Sequence, residues 1–298
     1  MSTERHARAA TGPRPARRAR RARSRLAPRL ARLALMLGLT LAAVAMILPF
    51  LWMIATSLKP ESDIFRYPTD LLPRHPTLAA YRDVWRRIPF ARFFINTVIF
   101  AGGVTILSLL LDSLTAFALA RLRFRGRELC FWIILATLMV PFQITLIPLF
   151  VTVFRLHWLD TYQGLIIPRA TNAFGIFLLR QFFITLPRDL DDAARLDGAS
   201  DFRVYWQIVL PLSKPALATL AIFHFMYNWN DFLWPLVITS STEMRTLPAG
   251  LTLFMGQYVI EHAILMAGAV ISLAPLALAF FLAQRYFVRG VVMTGLKE

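Results

Sequence analysis

One cysteine, Cys130, occurs in the 298 residues, so no disulfide and no thiolate metal site can be built within the chain. No His-x-x-x-His pair, no glycine-rich phosphate loop, no Ser/His/Asp grouping and no Walker-type string is present. These absences exclude ATP hydrolysis by this chain alone, and no cofactor or metal is expected to bind it. Acidic residues are scarce as well, 17 against 33 lysines and arginines.

What the chain has is apolar length. Hydrophobic residues make up 57% and mean hydropathy is +0.55, too apolar for a soluble domain. A bilayer-spanning helix needs about 20 apolar residues. Six segments qualify, at 33–57, 94–120, 129–154, 164–183, 216–240 and 263–287. None alternates as a transmembrane β-strand would. The expected fold is all-α, a polytopic membrane protein with six transmembrane helices. It divides into a basic arm at 1–32, expected to be disordered, and a membrane domain at 33–298.

The basic residues set the orientation. With the N-terminus inside, the inner segments hold 22 lysines and arginines and the outer ones nine. Both termini are therefore expected in the cytoplasm. Eleven arginines precede residue 33. They read as an arm against anionic membrane lipid, in preference to a nucleic-acid arm or a cleaved signal peptide.

The inner segment 184–215 has its own logic. Pro187 suits the first turn of a helix, and Asp189, Asp191 and Asp192 suit its positive end. Ala193 and Ala194 keep one side thin. Gly198 ends the helix in the left-handed region, and Ser200 caps a second one. There Phe202, Tyr205/Trp206 and Val209 form an apolar stripe. Pro211 and Pro215 break the chain and start the next span. Such an element could rest on lipid or dock to a partner.

Read as a pattern, Asp192-Ala193-Ala194, then Gly198, then Ile208, Leu210 and Pro211, resembles the EAA loop of ABC-importer permeases. Asp192 stands where that family usually has Glu. Runs at 116–126 and 177–183 resemble the end of that family's second helix and the approach to its EAA loop, and runs at 228–235, 246–248, 284–287 and 294–297 resemble its carbohydrate branch, in particular the smaller six-helix permease of maltose-type systems. The resemblance implies a type I importer permease fold in the bacterial inner membrane, with a cytoplasmic coupling helix at 187–211. Implied partners are a second, non-identical permease, two ATPase subunits that hold Mg-ATP, and an extracellular solute-binding protein that delivers a sugar. The seven residues of the pattern would form the ATPase-coupling contact. An amino-acid or peptide permease is the alternative within the class. An ion-coupled secondary transporter is the alternative outside it, and would be expected to carry an internal repeat.

Polar residues within the spans are the candidates for a substrate pathway. Asp112 reads either as a pathway residue or as an acid paired inside the bundle, with Arg169 as partner. Gln143 and Asn172 are expected along a polar route. Asn228, Trp229, Asn230 and Asp231 suit a sugar's hydroxyls and apolar face, or form an interfacial belt with Trp234. His224 reads as a packed helix residue.

Overall fold

A computed structural model describes residues 16–65, 70–255 and 260–295. Two compact units divide the chain, 1–54 and 55–298. Helix α1 runs from Ala16 to Ser57, and its residues up to Ile54 are what is described of the first unit. Its Ala31–Ser57 portion is long and apolar enough to cross a membrane, and residues 31–52 are exposed throughout. The helix thus begins inside the arm expected to lack structure; residues 1–15 of that arm lie outside the described residues, as do the last residues of the 294–297 run.

In the second unit α2 (Glu61–Ile64) and α3 (Ala79–Arg87) precede α4 (Phe90–Arg121). Then come α5 (Arg127–Thr137), α6 (Phe142–Arg155), α7 (Tyr162–Ile166) and α8 (Ala173–Thr185). Next are α9 (Asp189–Leu196), α10 (Asp201–Val204), a π-helical turn at Tyr205–Val209, and α11 (Leu210–Leu212). The chain closes with α12 (Lys214–Trp229), α13 (Leu233–Ile238), α14 (Leu247–Leu251) and α15 (His262–Gly295). Among the described residues there is no strand; Met255 and Ile260 form an isolated bridge.

Helix α4 is the axis of this unit, packed against α7, α8, α12 and α14. Apolar clusters lie along it. One joins Phe90 and Phe93 to Leu247 and Ala267. A second joins Phe100 and Val104 to Leu165 and Trp234. The third joins Ala116, Phe117 and Ala120 to Phe183, Val204, Tyr205 and Leu220. Small residues on α4 bring its neighbours close, and the aromatic rings fill the spaces between.

The structure divides several expected spans. By length and composition two helices, Ala31–Ser57 and Phe90–Arg121, can cross a membrane, or up to four if each bent pair counts as one. The segment at 129–154 is two helices, α5 and α6, bent by 99°. Pro141 occupies the N-cap of α6 in extended geometry, because a residue without an N–H cannot continue the preceding helix. The segment at 164–183 is interrupted by a 3-10 turn at Ile167–Arg169, and Asn172 then caps α8 by accepting from Phe174 N. The segment at 216–240 breaks after Trp229 and resumes at Leu233.

Candidate functional site

The element from α9 to α11 is held from inside by two polar contacts. At the end of α4, Arg121 pairs with Asp191 at 3.3 Å, their side chains only 1% and 5% exposed. Arg121 Nη2 also donates to the Leu186 carbonyl at 2.9 Å. Tyr205 and Ser113 share a hydroxyl–hydroxyl hydrogen bond of 2.8 Å, and the Phe117 and Tyr205 rings meet at 5.4 Å. Sequence reasoning placed Asp191 at the helix start but missed its pairing with Arg121. Their signal was weak: three acids within four residues, and a lone arginine ending an apolar helix.

The acidic first turn complements the positive end of α9. The helix starts at Asp189 with Arg188 at its N-cap, so Pro187 stands just outside it and not in its first turn. At the other end Gly198 has φ +80°, the left-handed conformation expected of it. Gly198 N donates to Arg195 O at 3.0 Å and Ala199 N to Ala194 O at 2.9 Å, the paired bonds of a Schellman cap. A Cβ at Gly198 would meet nothing within 4 Å; the cost of a side chain within this chain is the backbone angle alone. Ser200 Oγ accepts from Arg203 N at 3.4 Å, starting α10.

The expected stripe Phe202, Tyr205/Trp206 and Val209 does not form. The π turn adds a residue to the helical repeat and changes which positions face inward. Val204, Tyr205 and Val209 are buried, while Phe202 and Trp206 stack outside with ring centroids 6.4 Å apart. Pro211 does not break the chain either: it lies within α11, and the 79° bend falls at Ser213. Pro215 does begin α12.

Of the seven pattern residues, Asp192, Ala193, Gly198 and Pro211 are exposed, and Ala194, Ile208 and Leu210 are half-buried. The Asp192 side chain is 70% exposed, with Arg195 at 3.6 Å. Leu196 beside it is 90% exposed and Phe202 66%. A large apolar side chain left open next to acids and a thin alanine edge is chemistry for a protein contact.

Within the bundle, Asp112 does not pair with Arg169. Its Oδ1 accepts from Thr171 Oγ1 at 2.7 Å and from Asn172 N at 3.1 Å, at the start of α8. Its Oδ2 lies 3.3 Å from His224 Nε2. Gly175 makes this possible, since a Cβ there would stand 2.2 Å from Asp112 Oδ2. Arg169 pairs instead with Asp231 at 2.9 Å, and its guanidinium lies 4.4 Å from the Phe142 ring and 5.4 Å from Tyr227.

The 228–231 group is divided. Asn228 is buried and donates to His224 O at 2.8 Å. Trp229 is buried and donates to Ser272 O at 3.1 Å. Trp234 is fully buried and donates to Leu165 O, so the tryptophans form no interfacial belt. Asn230 remains exposed, as do Gln143, Asn172 and Tyr227.

A family model described as "Binding-protein-dependent transport system inner membrane component" matches residues 112–293. The chain is 35% identical over 266 residues to the arabinooligosaccharides transport system permease protein AraQ of Halalkalibacterium halodurans, covering 88% of this chain and 95% of that one. It is 37% identical over 240 residues to the sn-glycerol-3-phosphate transport system permease protein UgpE of Pectobacterium atrosepticum, covering 78% and 85%. A crystal structure of a bacterial ABC transporter involved in import of the acidic polysaccharide alginate contains a similar chain. The TM-score is 0.78 at 26% identity, over 88% of this chain and 98% of that one.

Proposed function

This chain belongs to the family of binding-protein-dependent transport system inner membrane components, and we propose that it is one of two unlike permease subunits of a carbohydrate importer. It is an inner-membrane subunit of a bacterial ABC importer and not an enzyme; ATP is hydrolysed in a separate chain. That family replaces the ion-coupled carrier among the possibilities raised by the sequence.

Six apolar stretches, namely α1, α4, the bent pair α5–α6, α7 with α8, α12 with α13, and α15, cross the membrane. Both termini and the α9–α11 element face the cytoplasm. A second, non-identical permease completes the pathway, an extracellular binding protein delivers the solute, and two ATPase subunits hold Mg-ATP. The exposed Tyr227 of α12 and Asn230 just past its end, with Gln143 and Asn172, offer rings and amides to a saccharide. The substrates named for AraQ and for the alginate transporter support an oligosaccharide; the one named for UgpE supports a glycerophosphate relative.

One observation carries the mechanism: α9–α11 is open outside and anchored inside. Asp192, Ala193, Leu196 and Gly198 are exposed, while Arg121–Asp191 and Ser113–Tyr205 tie the same element to α4. ATPase closure that displaces the outer side must therefore move α4, and with it α8 and α12 packed against it. The test is the reconstituted complex with its binding protein. Arabino-oligosaccharides, alginate oligosaccharides and glycerol 3-phosphate are offered singly, and one of them raises ATP turnover. Stimulation by amino acids or peptides alone would refute the carbohydrate class. Reporter fusions after the last residue are expected to be active only as cytoplasmic reporters.

A further inference from the structure

The turn between α4 and α5 carries charge that the importer mechanism leaves unused. Beside it lies an open cavity of about 630 Å³ whose lining includes Arg123, Phe124, Arg125, Arg127, Glu128 and Arg188. Its single carboxylate is already engaged. Glu128 accepts from Arg180 Nη2 at 3.0 and 3.1 Å and from Arg127 Nη2 at 3.1 Å. Arg127 also donates to the Leu122 carbonyl at 3.2 Å. Arg123 and Arg188 line a neighbouring cavity of about 460 Å³ as well. The carboxylates there are taken too: Asp191 by Arg121, and Asp192 and Asp201 by Arg195. Arg123, Arg125 and Arg188 are exposed and make no ion pair or side-chain hydrogen bond among the described residues.

Three unneutralised guanidinium groups around one cavity select an anion, and a planar fork favours phosphate oxygens. The flank of the cavity specifies the rest of the ligand. Helix α5 leads away from it with Leu129, Trp132 and Ile133 exposed at 65%, 64% and 57%, a stripe at i, i+3 and i+4. Phe124, at 45%, continues it into the cavity. Free phosphate would use the arginines and leave the stripe idle. A phospholipid uses both, with its phosphodiester on the arginines and an acyl chain along the stripe. Basic pockets at the cytoplasmic ends of transmembrane helices bind anionic headgroups for this reason.

We propose that the α4–α5 turn, together with Arg188, forms a binding site for the headgroup of an anionic phospholipid of the inner leaflet. The inference rests on the membrane placement given above. Arg188 is also the N-cap residue of α9, so a bound headgroup holds the start of that helix against the lipid surface.

The experiment uses the intact transporter complex in nanodiscs of phosphatidylcholine with or without phosphatidylglycerol. Retained lipid is counted by native mass spectrometry after mild extraction. The wild type retains phosphatidylglycerol in preference to phosphatidylcholine. In Arg123→Gln/Arg188→Gln that preference falls about 25-fold, from roughly fivefold per arginine. Arg123→Lys/Arg188→Lys keeps most of it, which separates loss of charge from loss of fold. Arg86→Gln, on α3, leaves it unchanged. Equal retention of both lipids by the wild type, or an unaltered preference in the glutamine variant, overturns the site. So does displacement of the lipid by millimolar inorganic phosphate, which would assign a free anion. Loss of the ATPase subunits from the glutamine variant with phosphatidylglycerol still bound would assign the cavity to a partner's carboxylate and also overturn it. Failure of the importer reading is distinct: the wild-type complex would then show no solute-stimulated ATP turnover, whatever lipid it held.

Discussion

The inward and outward sides of the α9–α11 element are built from different chemistry. Inward, Asp191, Tyr205 and Val209 are buried, and the polar groups among them reach partners on α4. Outward, Asp192, Ala193, Leu196 and the Phe202–Trp206 stack stand open. Asp191 and Asp192 are adjacent in sequence, yet one closes a buried ion pair and the other reaches only Arg195, three residues along its own helix. Damage on the inner side should therefore cost folded protein. Damage on the outer side should cost coupling at normal abundance.

The largest expected effect is on the inner side. Arg121→Leu leaves Asp191 buried without its cation, a loss of about 3–5 kcal/mol. The variant should be scarce in membranes and sensitive to protease. Replacing both partners, as in Arg121→Leu/Asp191→Leu, should recover most of the abundance, since a buried pair exchanged for apolar groups is often near neutral. Full abundance of the single variant would break the comparison at its base.

A second buried contact sharpens it. Gly175→Ala puts a Cβ where the Asp112 carboxylate lies and should destabilise by about 1–3 kcal/mol. Combined with Asp112→Ala the losses should fall short of additive, because the two changes act on one contact. Additive losses in thermal melts of the purified complex would mean that Gly175 and Asp112 act separately.

On the outer side, Gly198→Val must hold a β-branched residue in the left-handed region, at about 1–2 kcal/mol. Abundance should stay near normal, while solute-stimulated ATP turnover and uptake fall together. The smallest changes concern Asp192. Asp192→Lys reverses the charge at the helix start and should lower coupling, whereas Asp192→Glu should be nearly silent. A lipid-resting element predicts the reverse, with lysine tolerated beside anionic headgroups. Wild-type coupling in both Gly198→Val and Asp192→Lys would remove the outer side from the mechanism.

The helical class and the position of this element were legible because long apolar runs and a glycine stop are local signals. Gly198 and Ser200 take the geometry their residue types favour. Directions of bending were not legible. Pro141 marks a break within 129–154 but not that the chain turns through 99° there, and the π turn at Tyr205–Val209 interrupts the 3.6 period on which the stripe was drawn. Partners distant in sequence were hidden as well. Asp112 takes the backbone N–H of Asn172 at a helix start, which left Arg169 to pair with Asp231, 62 residues away. That in turn withdrew Asp231 from the group proposed to meet solute, leaving Asn230 exposed.

The Arg169–Asp231 pair has a mechanical consequence. Arg169 sits in the break before α8, and Asp231 in the break between α12 and α13. Breaks are the most compliant points of a helical frame, and here two of them are clamped to each other across 2.9 Å. At the opposite end α8 runs into Leu186, whose carbonyl Arg121 holds, and α12 runs back into α11 through Ser213, whose Oγ donates to Val209 O. The two struts are thus braced top and bottom. Joined in this way, α8 and α12 are expected to shift together when the α9–α11 element is displaced, with little flexing at the breaks.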